Sequence, residues 1–286
     1  MKHIKYFIQF ILTIIFFGLF KILGISLSSK LSGKIFELIG PYFRSKKIIH
    51  KNIKKAIPDI NKNNLDRITK KMWNNYGRVF AEYIFIKEFR FGKLSSRIIV
   101  DGEYILEKII KSNSQVVFVS GHFSNFELMA MYLDKKGIKL SAIYRPLNNV
   151  FLNKIMENIR KKYICKNQIK KGVGGLKKLM LLKKNNFSTA LMIDQRVSEG
   201  ILSKIFSEEA LTTTIPAQIV RKFNIPIVPV YIERIEGINF KITIENPINF
   251  AKDASVKKIT DELNIILEKM IMKKPEQWIW SHNRWK

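Results

Sequence analysis

The most apolar part of the chain is the run from Tyr6 to Leu27, which few polar residues interrupt. As a helix this run would extend about 33 Å, close to the roughly 30 Å hydrocarbon thickness of a bilayer. Lys21 lies near one end, where its ammonium can reach the headgroups. The pattern predicts a membrane-anchoring helix over residues 1–28, either spanning or half inserted. A cleaved signal peptide and a buried helix of a soluble protein are the alternatives.

The pattern after the anchor is helical up to about residue 95. Trp73, Tyr76, Phe80 and Tyr83 recur at spacings of three and four, as on one face of a helix. Short β-rich runs then alternate with helical patterns. The predicted strands are Arg97–Val100, Val116–Val119, Leu140–Tyr144, Thr189–Ile193, Ile227–Ile232 and Lys241–Ile244. The predicted helices are Tyr104–Lys111, Phe126–Lys135, Phe151–Tyr163, Gly175–Lys183, Ile215–Phe223 and Val256–Met272.

Alternating strands and helices predict an α/β fold with a mostly parallel central sheet flanked by helices. The N-terminal membrane-anchoring helical extension precedes it. We expect one α/β domain over residues 29–286, in which residues 29–95 form a helical part that faces the membrane.

Composition adds a strong positive charge to this picture. The 286 residues include 51 Lys+Arg and 23 Asp+Glu, a formal net charge of +28. Such a surface favours acidic partners, either nucleic acid or anionic lipids. Lysines and arginines follow the apolar run closely, which predicts a body on the cytoplasmic side. The sequence contains no P-loop, dinucleotide fingerprint or zinc spacing, so we expect no metal and no redox cofactor.

The segment Gln115–Glu127 carries the most informative chemistry. An apolar strand ends at Ser120-Gly121, which places His122 at the carboxyl end of a strand, where open α/β sheets bind ligands. Glu127 follows five residues later, and five helical steps turn about 500°, so the two side chains meet only if His122 lies in the turn. Glu127 would then accept from one imidazole nitrogen and make the other a better base. On spacing alone, a helix-capping histidine with a solvated glutamate is equally open.

Two other residues are candidate reactive centres. Cys165, the single cysteine, lies among lysines that favour its thiolate, and it is the rival nucleophile. His282 lies among the tryptophans of the last ten residues, which indicates packing or an interfacial aromatic belt.

Several blocks of the chain resemble the late acyltransferases of lipid A biosynthesis, within the glycerolipid acyltransferase-like superfamily with its His-x4-Asp/Glu motif. The matching blocks are Gly121–Glu127, Ile143–Asn149, Met192–Arg196, Thr212–Gln218, Ile227–Val230 and Pro275–Trp285. They occur in the family's order. Ser124 and Phe126 stand where the family has glycine and tryptophan, and Phe206–Glu209 lacks the glycine often found after its aromatic residue.

The resemblance implies transfer of a fatty acyl chain from an acyl carrier protein thioester to a hydroxyl of a lipid A precursor. His122 would be the general base, oriented by Glu127. Arg145, Asp194, Gln195 and Asn125 would line the substrate site, with Asp194 as an alternative partner of His122 or Arg145 or as a helix cap.

The implied location is the bacterial inner membrane, with the catalytic domain on the cytoplasmic side. The expected partners are acyl carrier protein, the lipid A precursor and anionic membrane lipids. One alternative is the same chemistry on a lysophospholipid or another glycolipid. A remote alternative is a basic, membrane-tethered nucleic-acid-binding protein, although no nucleic-acid module is recognisable, so no nucleic acid is expected.

Overall fold

The structure is a computed structural model, which describes residues 2–286 apart from the side chains of Lys2, Val173 and Leu176. Its first helix, α1 (Lys2–Leu23), ends at Gly24, whose φ of 73° turns the chain into α2 (Ile25–Phe43). The remaining helices are α3 (Lys46–Ala56), α4 (Lys62–Glu82), α5 (Ile86–Phe91), α6 (Glu103–Lys111), α7 (Glu127–Lys135), α8 (Val150–Ile159), α9 (Val173–Lys184), α10 (Ile215–Phe223) and α11 (Val256–Lys273).

Helix α1 is long and apolar enough to cross a membrane, and the described part of the chain contains one such helix. Only 6% of its apolar window is buried inside the protein. The alternative of a buried helix in a soluble core is therefore wrong, because a core helix would have most of this surface covered.

The region before residue 95, which was predicted to be helical, contains α2 to α5. Helices α2 and α4 pack closely because small residues line their contact. Ser28, Ser29 and Ser32 of α2 are buried there. A Cβ added at Gly77 of α4 would lie 2.2 Å from the carbonyl oxygen of Ser32, so only glycine fits at this crossing.

Within residues 2–286 the strands form one seven-stranded sheet and a separate hairpin. The sheet strands are β1 (Ile98–Asp101), β2 (Val117–Ser120), β3 (Leu140–Tyr144), β4 (Asn167–Lys170), β5 (Ser188–Met192), β8 (Ile227–Glu236) and β9 (Asn239–Ile244). Their spatial order is β1-β9-β8-β2-β5-β3-β4, and every neighbouring pair is parallel except β8 with β9. The predicted α/β fold with a mostly parallel sheet is confirmed.

Strand β2 lies at the centre of the sheet and forms part of the main core. All four of its residues are buried, which shows that helices cover both faces. Helix α7 contacts β3 and β8, and α10 contacts β2 and α11. The carboxyl ends of β2, β5 and β3 therefore lie side by side at one edge, and the loops after them form the candidate site.

The hairpin of β6 (Ile201–Ile205) and β7 (Glu208–Thr212) was not predicted. Its two-residue turn is Phe206-Ser207, with φ of 52° and 61°. Both residues thus adopt the left-handed conformation that a tight hairpin turn demands and that glycine or asparagine normally supplies. This is the segment in which the family's usual glycine is missing, so the turn forms here at a cost in backbone strain.

Candidate active site

His122 and Asp194 meet at the carboxyl edge because their strands run side by side. Strands β2 and β5 are parallel, and Ser120 is paired with Met192. His122 and Asp194 each lie two residues beyond this pair, so the register brings them together. The Nδ1 atom of His122 is 2.8 Å from Oδ1 of Asp194, and the backbone N–H of His122 donates to Oδ2 at 2.7 Å.

The surroundings of this pair favour its charged form. Asp194 is fully buried, and the indole N–H of Trp278 donates to its Oδ2 at 2.9 Å. Burial alone would raise the pKa of Asp194, but the charge and hydrogen bonds of His122 and Trp278 hold it well below its usual range. Burial alone would lower the pKa of His122, but the charge and hydrogen bond of Asp194 outweigh burial and raise it.

These shifts determine the state of the imidazole. An ionised carboxylate only accepts hydrogen bonds, so in the neutral imidazole Nδ1 carries the hydrogen and Nε2 holds the free lone pair. The His122 side chain keeps 20% of its surface exposed, whereas that of Asp194 keeps none. The arrangement is a basic imidazole, oriented from behind by a buried carboxylate and accessible from the front. It suits general acid–base chemistry on a bound hydroxyl.

The structure differs from the prediction for Glu127, which was expected to orient His122. Asp194 takes that place at Nδ1. Glu127 begins α7, and its carboxylate accepts from Nε of Arg160 at 2.9 Å and also from Nη2. The guanidinium is a fork of donors, and two of its N–H groups bind the carboxylate of Glu127. The two predicted groups thus belong to two neighbouring ion pairs.

Arg160 is a site residue that the sequence reasoning missed. It follows the last residue of α8, starts a π-helical turn, and its guanidinium lies 5.5 Å from the ring centre of Tyr144. Burial alone would lower the pKa of Arg160, but Glu127 outweighs it and raises it. The charges of this ion pair act on the pKa of His122 in opposite directions, since Glu127 raises it and Arg160 lowers it. No local motif marks Arg160, because its partner is 33 residues away.

Asn125 does not line an open cleft, in contrast to the prediction. Its side chain is fully buried and its amide donates to Glu82 of α4 at 3.0 Å. Glu82 is itself fully buried and forms an ion pair with Arg234 of β8, whose Nη1 and Nη2 lie 2.6 and 3.0 Å from its oxygens. Ser29 of α2 donates to the same carboxylate at 2.7 Å. Asn125 therefore ties the loop after His122 to the buried pair.

The tight turn after His122 depends on Ser124 and Gly121 in different ways. Ser124 has a φ of 44°, the left-handed conformation that glycine adopts without strain. This explains why the family motif has glycine at this position. Gly121 matters for space, since an added Cβ would lie 2.8 Å from the ring of Phe123. The ring of Phe126 then packs edge-on against the imidazole of His122 at 4.7 Å.

The remaining predicted substrate contacts fall into two groups. Arg145 is exposed in the loop after β3, and Gln195 is half-buried beside Asp194, so both lie at the carboxyl edge. Asp194 was also predicted to contact substrate. Full burial and its bonds to His122 and Trp278 place it behind the imidazole instead, in the orienting role named as its alternative.

The surroundings of Cys165 and His282, the two rival reactive residues, indicate structural roles. Cys165 is buried, its thiol donates to the carbonyl of Leu140 at 3.1 Å, and burial raises its pKa to about 12. The Nε2 atom of His282 accepts from the backbone N–H of Arg196 at 3.1 Å, and burial lowers its pKa. Trp278 and Trp280 are buried, which supports packing rather than an interfacial belt. Among residues 2–286 no three His, Cys, Asp or Glu side chains cluster as metal ligands would.

The fold and site define an α/β protein with a histidine–carboxylate pair at the carboxyl edge of its sheet. A family model described as bacterial lipid A biosynthesis acyltransferase matches residues 1–286, so the chain belongs to this family and the predicted resemblance is confirmed.

Two known proteins are similar to the chain. It is 24% identical over 196 residues to "Lipid A biosynthesis acyltransferase 2" of Shigella flexneri, and the match spans 66% of this chain and 60% of that relative. A crystal structure of the 1-acyl-sn-glycerophosphate (LPA) acyltransferase from Thermotoga maritima matches 89% of this chain and 96% of its own, at 13% identity and a TM-score of 0.43.

Proposed function

We propose that the protein transfers a fatty acyl chain from an acyl carrier protein thioester to a hydroxyl of a lipid A precursor. Family membership supports the acyltransferase class and the lipid A acceptor. The observation that carries the proposal is the His122–Asp194 pair, an imidazole with raised pKa and one exposed face.

His122 acts as the general base in this reaction. Its Nε2 takes the proton of the acceptor hydroxyl while the hydroxyl oxygen attacks the thioester carbonyl. The new C–O bond gives a tetrahedral oxyanion. When the intermediate collapses, the C–S bond breaks and the imidazolium returns its proton to the thiolate of the carrier. Asp194 stabilises the imidazolium between these two steps and remains ionised.

The oxyanion requires donors close to His122. The N–H groups of His122, Phe123 and Ser124 are already bonded to Asp194 and to the carbonyls of Gly121 and Gln277. In the first turn of α7, which follows directly, the N–H groups of Leu128 and Met129 are bonded to the carbonyls of Asn125 and Phe126, so this turn contributes the positive end of a helix dipole. Arg160 is a cation whose charge acts on His122, and Glu127 holds it in place. We therefore assign Glu127 the positioning of Arg160 rather than of His122.

Arg145 and Gln195 are the groups proposed to contact the acceptor. Both are accessible at the carboxyl edge, and the guanidinium of Arg145 suits the phosphate of a lipid A precursor. The net charge of +28 favours two acidic partners as well, acyl carrier protein and the anionic lipids of the membrane. Helix α1 supports association with the bacterial inner membrane, and the lysines that follow it favour a body on the cytoplasmic side.

Mass spectrometry of the acceptor tests this proposal. The purified full chain is incubated with acyl carrier proteins that carry chains of different length, together with a lipid A precursor, a lysophospholipid or an unrelated glycolipid. We expect the mass of one acyl chain to appear on the lipid A precursor, and the variant His122→Ala to abolish the gain. A gain on the lysophospholipid or glycolipid alone would contradict the assigned acceptor, and no gain on any lipid would contradict the acyl transfer itself.

A further inference from the structure

Helix α1 packs on the rest of the protein through one narrow face. Tyr6, Phe10, Thr13, Phe17 and Phe20 are its least exposed residues, and they follow one another at spacings of four, three, four and three. This spacing is one face of a helix. From Tyr6 to Phe20 the face extends about 21 Å at 1.5 Å per residue. The opposite face consists of exposed isoleucine, leucine and phenylalanine side chains.

The N-terminal end of α1 is fixed to the loop that precedes α8. The side-chain amide of Asn149 donates to the carbonyl oxygen of Tyr6 at 2.9 Å. The rings of Phe7 and Phe10 lie 5.6 and 5.8 Å from the ring of Phe151. The exposed Arg145 lies in the same loop. This end of α1 therefore lies beside a polar part of the carboxyl edge.

The C-terminal end of α1 is fixed to α4 and α5. The rings of Phe17 and Phe20 lie 5.3 and 6.1 Å from that of Phe80. Lys21 forms an exposed ion pair with Glu88, with 3.0 Å between nitrogen and oxygen. Charged, exposed side chains thus accompany both ends of the helix.

A spanning orientation conflicts with these contacts. If α1 crossed the bilayer, one set of contacts would lie about 20 Å deeper than the other, and either the Arg145 loop or the Lys21–Glu88 pair would enter hydrocarbon. We propose that α1 lies parallel to the membrane in a single leaflet, with its exposed apolar face among the acyl chains. Both of its ends then lie on the side of the catalytic domain, and the carboxyl edge of the sheet faces the headgroups.

Helix α2 extends this membrane-facing surface. Leu27, Leu31, Leu38 and Tyr42 are exposed at spacings close to whole helical turns. Exposed Lys30 and Lys34 lie among them. An apolar face bordered by lysines matches an anionic leaflet, where each cation near the surface adds attraction. The partner of this surface is therefore an anionic lipid surface rather than another protein.

The depth of three outward positions tests the orientation. Ile8, Ile15 and Ile22 are separated by seven residues each, share the exposed face, and are 54%, 54% and 84% exposed, so cysteine is tolerated there. The native Cys165 is buried and does not compete for the label. Each variant carries a depth-sensitive fluorophore in vesicles of phosphatidylethanolamine and phosphatidylglycerol. We expect equal depths within about 3 Å. A spanning helix would place position 15 about 10 Å deeper than the other two, and a steady gradient across the three would also overturn the proposal.

Labelling of a cysteine at position 3 with a membrane-impermeant maleimide gives an independent test. His3→Cys is compared with Asp253→Cys, an exposed position of the catalytic domain. In sealed inverted vesicles we expect both to react, and protection of position 3 alone would show that α1 spans. The inference rests on the proposed membrane association and not on the chemistry. Failure to bind vesicles would contradict both the membrane association and the proposed orientation of α1. A failed acyl-transfer assay would leave the depth result unaffected.

Discussion

The substitution Asp194→Asn isolates the role of the buried carboxylate. Asparagine has the shape of aspartate but a single acceptor oxygen, whereas Asp194 accepts from the N–H and Nδ1–H of His122 and from Trp278 at 2.7, 2.8 and 2.9 Å. In the variant the amide N–H₂ must face at least one of these donors. The imidazole thus loses both its charge partner and part of its orientation.

The expected effect has two parts. Without the carboxylate, burial is the main influence on His122, so its pKa falls from above to below the ordinary 6.5. The base must be neutral to act, so the acidic limb of the kcat/KM profile moves to lower pH. The plateau falls on the order of 10²–10⁴-fold, because the base is weaker and less well oriented, which corresponds to about 3–5 kcal/mol of transition-state stabilisation.

The assay is the pH profile of acyl transfer for the wild type, Asp194→Asn and a matched control. Asp134→Asn makes the same change at a carboxylate paired with Arg90 away from His122, and it should leave the acidic limb in place. Circular dichroism establishes that all three proteins are folded. An Asp194→Asn enzyme with an unmoved limb and at least half of the wild-type plateau would refute the reasoning.

Three further predictions concern the rest of the structure. Ser124→Gly should stabilise the protein by about 0.5–1 kcal/mol in denaturant unfolding, since it removes a left-handed serine, whereas Ser112→Gly, at an ordinary φ of −80°, should not. Cys165→Ser should keep the transfer rate within about twofold, and the native thiol should resist a thiol reagent until the protein is unfolded. Arg234→Met should cost about 3–5 kcal/mol because it leaves Glu82 charged and buried, and adding Glu82→Gln should restore much of that loss.

The predictable elements of the fold are those whose own residues show a clear apolar pattern between turn residues. The β2 run Val117–Ser120 is apolar throughout and bounded by turn residues, so its strand was predicted within one residue. Strand β4, with the sequence Asn167-Gln-Ile-Lys170, has one apolar residue in four and no such pattern. The β6–β7 hairpin was missed because its turn, Phe206-Ser207, lacks the glycine or asparagine that marks such turns.

In the candidate site, the position of His122 was predictable from the sequence, but the residues that its neighbours and its own side chain bind were not. His122 follows an apolar strand, and that position alone indicated the carboxyl edge. Its pairing with Asp194 depends on β2 and β5 being neighbours, a non-local choice that no spacing reveals. Glu127 is close enough in sequence to His122 to suggest a contact between them. Its carboxylate instead binds Arg160, which follows the last residue of α8. The role of Asn125 likewise depends on Glu82, which is 43 residues away.

The most direct test of the central claim is the rate of acyl transfer by His122→Ala, measured with an acyl carrier protein thioester and a lipid A precursor. The account predicts a loss of two to four decades, on the order expected when a general base is removed, in a protein with unchanged unfolding behaviour. Transfer at the wild-type rate by the folded variant would contradict it.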